Sequence, residues 1–224
     1  MATAIAVPPS TTLVPTAVAP SSRPSTPQTS PRPATYDTVD ALRSFTVDDY
    51  DAMIRAGILD DRDKVELLEG HVVLKMARDP IHDGTIQLMI PLIYPICPKG
   101  WGIRVQSAIR LAQAASQPEP DFALVRGTGV DYMTRHPEAA DVGLVIEVSN
   151  TSLVRDTVDK TRIYAAEGLP VYWVINLIDR RVEVYTVPVG GRYTQLRTYH
   201  PGESIPLTLD NSVVANVPVV QLLP

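Results

Sequence analysis

Two carboxylates fall where an acid is least expected. Glu119-Pro120-Asp121 leads into the apolar run Phe122–Val125, and Glu147 interrupts the run Leu144-Val145-Ile146-Glu147-Val148. A carboxylate in an apolar strand is costly unless it is paired or holds a cation. On neighbouring strands, Asp121 and Glu147 could together bind Mg²⁺ (or Mn²⁺). Mg²⁺ prefers oxygen ligands, keeps several waters and usually takes only one or two protein carboxylates. A phosphodiester would add further oxygens, and such an ion activates water while neutralising charge on the phosphoryl group. The alternative is structural, with each acid meeting an arginine or facing solvent at a strand end.

Other polar residues carry plainer readings. Asp156 and Lys160 are spaced i, i+4, the spacing of an ordinary helix-surface ion pair worth a few tenths of a kcal/mol. Glu66 lies between Val65 and Leu67 in an alternating segment, which by default turns it outward, and His82 could cap a helix or pack. Tyr172 and Trp173 sit among Val171, Val174 and Ile175, so core packing is favoured over base stacking. Arg126, Arg135, Arg155 and Arg162 could form a basic patch or simply solvate a surface. The chain shows no phosphate-cradling glycine loop, paired-histidine metal motif or serine nucleophile elbow.

These groups must be held by elements that the pattern suggests. Thr46 reads as an N-cap followed by Asp48 and Asp49, with Phe45 stapling onto Tyr50 and Gly57 closing the helix. Strands are expected over 64–68 and 71–76 around the turn Glu69-Gly70. A helix follows over 81–90, stopped or kinked by Pro91 and Pro95. Residues 104–111 alternate like a half-buried strand. Short apolar runs at 121–125 and 144–148 suit strands buried within a sheet. A helix is expected over 151–167, strands over 171–177 and 182–187, and further short strands from Tyr193 onward. The segment 126–140 reads as a surface loop that could lie over the site. This order fits an α/β fold, a mixed sheet flanked by helices with an N-terminal helix and hairpin.

Composition sets limits. The chain has 224 residues, and residues 1–35 hold 8 of its 21 prolines, with mostly Ser, Thr and Ala between them. Such a stretch cannot bury enough apolar surface to offset its ordering entropy, so residues 1–40 are expected to form a disordered arm ahead of one domain over 41–224. Residues 1–35 carry only Arg23 and Arg32, so the remaining 18 basic residues face 25 acidic ones, a net of −7. An acidic domain has no long-range attraction to nucleic acid, and any such activity needs a local basic patch or a metal ion. Cys97 is the single cysteine, which rules out an intrachain disulfide and suits a reducing cytoplasm. No run approaches the roughly 18 apolar residues of a membrane helix, and the proline-broken N-terminus lacks the charged start of a signal peptide.

An ordered set of motifs now invites comparison. Val65-Glu66-Leu67-Leu68-Glu69-Gly70, His82, Pro120-Asp121, Val145-Ile146-Glu147-Val148-Ser149, Asp156…Lys160…Tyr164, Gly168 and Val171–Ile175 follow in turn. Over residues 44–208 the chain resembles the Uma-type restriction endonuclease domain, a branch of the PD-(D/E)XK nuclease superfamily. The resemblance implies a Mg²⁺- or Mn²⁺-dependent endonuclease acting on DNA. Asp121 matches the Asp of the Pro-Asp motif and Glu147 the second acid. The general pattern places a lysine where Ser149 stands, and the branch moves it to the following helix, where Lys160 matches. Glu66 matches an acid that could complete the metal shell, and His82 the histidine that opens the next helix. Pro91, Pro95 and Asn176 depart from the family pattern, Asn176 standing where an aspartate is common. Competing readings are a catalytically inactive module that keeps the fold and a hydrolase of a smaller phosphoester. A homodimer would suit an enzyme that cuts both strands.

Overall fold

The computed structural model describes residues 42–224, so the arm expected over 1–40 lies outside the described residues. The first helix, α1 (Val47–Arg55), begins as the sequence implies. Thr46 Oγ1 accepts from Asp49 N at 3.1 Å, and the Asp49 carboxylate accepts from Thr46 N at 3.0 Å. Phe45 packs with Tyr50 and Leu67 in a small apolar cluster. The hairpin of β1 (Val65–Leu68) and β2 (His71–Leu74) closes at the Leu68–His71 pair, with Glu69 at φ 47° and Gly70 at φ 78°. Two consecutive positive φ values define the tight turn whose twist matches paired strands.

Helix α2 (Pro80–Ile93) is not stopped at Pro91 and gives way to a 3₁₀ turn only at Tyr94–Ile96. Met89 and Ile93 face the core while Gln87 and Pro91 face solvent. The Gln87 carbonyl that loses its helical partner is therefore hydrated, which limits the proline's penalty.

The centre is a six-stranded sheet in the order β3 (Trp101–Val105), β4 (Phe122–Arg126), β5 (Val142–Ser149), β6 (Val171–Asn176), β7 (Arg181–Val189) and β8 (Arg192–Tyr199). All neighbours pair antiparallel except β5 and β6. That parallel pair needs a crossover. The chain makes it through a π-helical turn, Arg155–Lys160, that continues into α3 (Thr161–Ala166). A second hairpin pairs β9 (Ser204–Leu209) with β10 (Ser212–Pro218).

The strand expected over 104–111 is displaced. It runs from Trp101 to Val105, and Gln106 at φ 47° turns the chain out of the ladder. Ile109 and Leu111 are still fully buried, which accounts for the alternation, but their N–H groups bond to Pro118 O and Ser116 O. The sheet buries both faces. Phe122, Leu124, Leu144, Ile146 and Trp173 meet Ile86, Met89 and Ile93 of α2 together with β9. Ala123, Val125, Val145, Tyr172 and Val174 meet Ile163 and Tyr164 of α3. Tyr172 and Trp173 thus serve the core. At Gly143 a Cβ would stand 2.4 Å from the Trp101 ring, so only glycine lets the aromatic seal the β5 end. No described helix is long and apolar enough to cross a membrane.

Candidate active site

The site arises where β4 starts and β5 nears its end. The register pairs Phe122 with Ile146, so Asp121, one step earlier, stands beside Glu147 one step later, with both side chains on the same face. Asp121 N lies 3.4 Å from Glu147 Oε2, and Val148 N donates to Asp121 Oδ2 at 2.9 Å. The two acids are almost fully buried, with 6% and 2% of their surface exposed. Neither is locked to an arginine. His82, at the start of α2, places Nε2 3.1 Å from Asp121 Oδ2. From the crossover helix, Lys160 Nζ reaches Glu147 Oε1 at 2.8 Å and Tyr164 Oη donates to the same oxygen at 2.7 Å.

These contacts leave a pattern. The short hydrogen bonds to Asp121 end on Oδ2 and those to Glu147 on Oε1. The other oxygen of each carboxylate receives none shorter than 3.4 Å among the described residues. Hard oxygen donors of this kind suit Mg²⁺ or Mn²⁺. Among the described residues no group of three or more His, Cys, Asp or Glu side chains is arranged to hold an ion. What fits is therefore a two-carboxylate site completed by water and substrate oxygens.

Electrostatics separates the two acids. Burial opposes charge on Asp121, but the hydrogen bond and charge of His82, the Val148 N–H and the Lys160 charge together hold its carboxyl below the usual value. Burial pushes Glu147 up to about 8; Lys160 opposes this rise, while the charges of Asp156 and Asp121 add to it. Lys160 is buried too, yet Glu147, Glu66 and Asp156 raise its pKa well above the usual lysine value, so it stays charged. Burial works against charge on the His82 imidazole as well, but Asp121 and Asp83 outweigh it and raise its pKa.

Glu66 is buried rather than turned outward, and it lines the same cleft. Its Oε2 lies 3.4 Å from Glu119 N and its Oε1 lies 3.9 Å from Arg155. The five residues singled out in the sequence, Asp121, Glu147, Lys160, Glu66 and His82, therefore share one cleft. Two roles were not legible. Asp156 is buried, accepts from Ser149 Oγ at 2.6 Å and Ser152 Oγ at 2.5 Å, and lies 3.6 Å from Lys160 Nζ. It is not half of a surface pair but an anchor for the lysine, and Ser149 steadies it. Tyr164 is the other, and the signal was the run Asp156, Lys160, Tyr164 at successive i+4 spacings on one helix face.

The segment 126–140 lies at the surface as expected but not over the site. It joins the end of β4 to the start of β5, at the opposite end of the sheet from Asp121, and contributes nothing to the cleft. Of the two readings of the four arginines, the structure favours dispersed surface residues over one basic patch. Arg126 pairs with Asp210, Arg135 with Asp141, and Arg162 with Glu69. Only Arg155 of the four lines the cleft. Asn176 closes a turn by accepting from Asp179 N at 2.9 Å, away from the acids.

A family model described as "Uma2: Putative restriction endonuclease" matches residues 47–217. Among solved structures, a "putative nuclease belonging to DUF820 from Anabaena variabilis ATCC 29413" is similar in fold at TM-score 0.55 and 13% identity. The match covers 80% of this chain and 97% of that one. A search of curated proteins returned no match.

Proposed function

This chain belongs to the Uma2 family of putative restriction endonucleases, and on that footing we propose that it is a metal-dependent nuclease that hydrolyses DNA phosphodiester bonds. The observation that carries the reading is the cross-strand placement of Asp121 and Glu147, each with one oxygen held by short hydrogen bonds and the other receiving none shorter than 3.4 Å among the described residues. A divalent cation bound there would lower the pKa of a coordinated water and neutralise charge on the phosphoryl group.

The chain's own groups prepare the site. Asp121 is held ionised and oriented by His82 and the Val148 N–H. Glu147 is fixed through its Oε1 by Lys160 and Tyr164, which aims Oε2 toward Asp121. The Lys160 ammonium, its charge favoured by Glu147, Glu66 and Asp156, is suited to stabilise charge that develops on a phosphate. Glu66 lies at the cleft wall, where it can act through water.

The test is cleavage of labelled DNA in Mg²⁺ or Mn²⁺. Asp121→Asn, nearly isosteric, should lower the rate at least about 100-fold while leaving the melting temperature close to the wild-type value. Calorimetric titration with Mn²⁺ should show binding that the variant loses. A wild-type protein that binds no Mn²⁺ and cuts no form of DNA would instead be the inactive module.

A further inference from the structure

Beside the acidic cleft lies a second cavity of about 590 Å³, and the two share a wall. The wall is the strap that joins β2 to α2, Lys75-Met76-Ala77-Arg78, together with Glu119. The far side of the second cavity is formed by α1 and its exit, through Tyr50, Ile54 and Leu59. We infer that this cavity receives one unpaired nucleotide next to the scissile phosphate, so that the nuclease acts on unpaired DNA. The inference rests on the nuclease reading above and adds the substrate class to it.

Three observations support it. The size falls within the range of pockets that bind small ligands, about 300–1,000 Å³, whereas a base pair in a duplex could not enter. The lining is of the kind a base requires, with the apolar side chains of Ile54, Leu59, Val65 and Met76 for its faces and the half-buried amide of Gln106 for its edge. The third is charge. Lys75 is neutralised by Glu119 at 2.6 Å, but Lys64 and Arg78 make no ion pair among the described residues. Arg78 lines both cavities, and its charge reaches His82. Of the carboxylates that line the cavity, Glu119 is held by Lys75 and Asp60 by Arg62, while Asp61 at the α1 exit makes no ion pair among the described residues. Lys64 and Arg78 thus exceed the unpaired acid by one charge, with Arg78 at the junction with the acidic cleft, where a backbone phosphate of an inserted nucleotide would lie.

The experiment uses the full chain with Mn²⁺ and three labelled substrates: a single-stranded oligonucleotide, the same sequence fully paired, and the duplex with one unpaired nucleotide. The single strand and the interrupted duplex should be cut at least about tenfold faster than the paired duplex, about 1.4 kcal/mol of discrimination. The single-strand arm distinguishes a nucleotide that is already free from one extruded from a duplex. Ile54→Trp, which fills the cavity from its far wall at an exposed position outside the acidic cleft, should raise KM for the single strand about tenfold and leave Mn²⁺ binding unchanged. Arg78→Gln, which adds no bulk, should raise KM in the same direction. Equal cutting of all three substrates, with both variants at wild-type KM, overturns the inference but leaves the nuclease reading standing. Absence of both metal binding and cleavage in the wild type removes both.

Discussion

At the scale of single residues, the buried acids around Lys160 carry more negative charge than that one ammonium can balance. Glu147 retains a proton up to about pH 8 in the folded chain, against an ordinary value of 4.5. Between those limits the folded state binds a proton that the unfolded state has released, so stability is greatest at the lower limit and declines as pH rises toward the upper one. Denaturant midpoints measured in chelator should fall from pH 5 to pH 8, and Glu147→Gln should flatten that slope. A slope unchanged in the variant would assign the proton elsewhere. Asp121 and Glu147 were legible in the sequence because an acid in an apolar strand breaks a pattern. Asp156 and Tyr164 were not, because a helix-surface ion pair and a buried tyrosine are each ordinary until a third residue joins them.

At the scale of elements, the crossover helix does the positioning. A parallel neighbour for β5 forces the chain back over the face that carries Glu147, and the π turn adjusts where Lys160 lands. The Asp156 carbonyl accepts from Thr161 Oγ1 at 2.9 Å and from Tyr172 Oη at 3.0 Å, which satisfies backbone that the wider turn releases. The sequence pattern gave this helix, yet period alone does not distinguish one wide turn from regular winding. Helix α2 shows the reverse case, in which a proline reads as a stop but sits on the hydrated side. Pro91→Ala should restore the Gln87 bond and stabilise α2 by up to about 3 kcal/mol. The melting temperature should rise by several degrees while Mn²⁺ affinity stays unchanged. A fall in melting temperature would show that the ring packs favourably where it is.

At the scale of the whole molecule, an acidic surface faces an acidic polymer. With a formal net charge of −5 and Arg126, Arg135 and Arg162 already paired, association with DNA rests on few cations. If Lys64, Arg78 and Arg155 each neutralise one phosphate of a single strand, log affinity should fall with log salt at a slope of about −2. A slope much steeper than this would reveal a basic surface other than the one described. Most strands and much of the core were recoverable from apolar periodicity, whereas the order of the strands in the sheet and the placement of the 126–140 segment depended on pairing and strand direction, which composition does not encode. That placement also has a practical side. Because the first turn of the β4–β5 connection, Gly129–Tyr132, leaves the sheet at the end away from Asp121 and outside the cleft, a fluorophore or affinity handle attached there could report on binding without entering the chemistry.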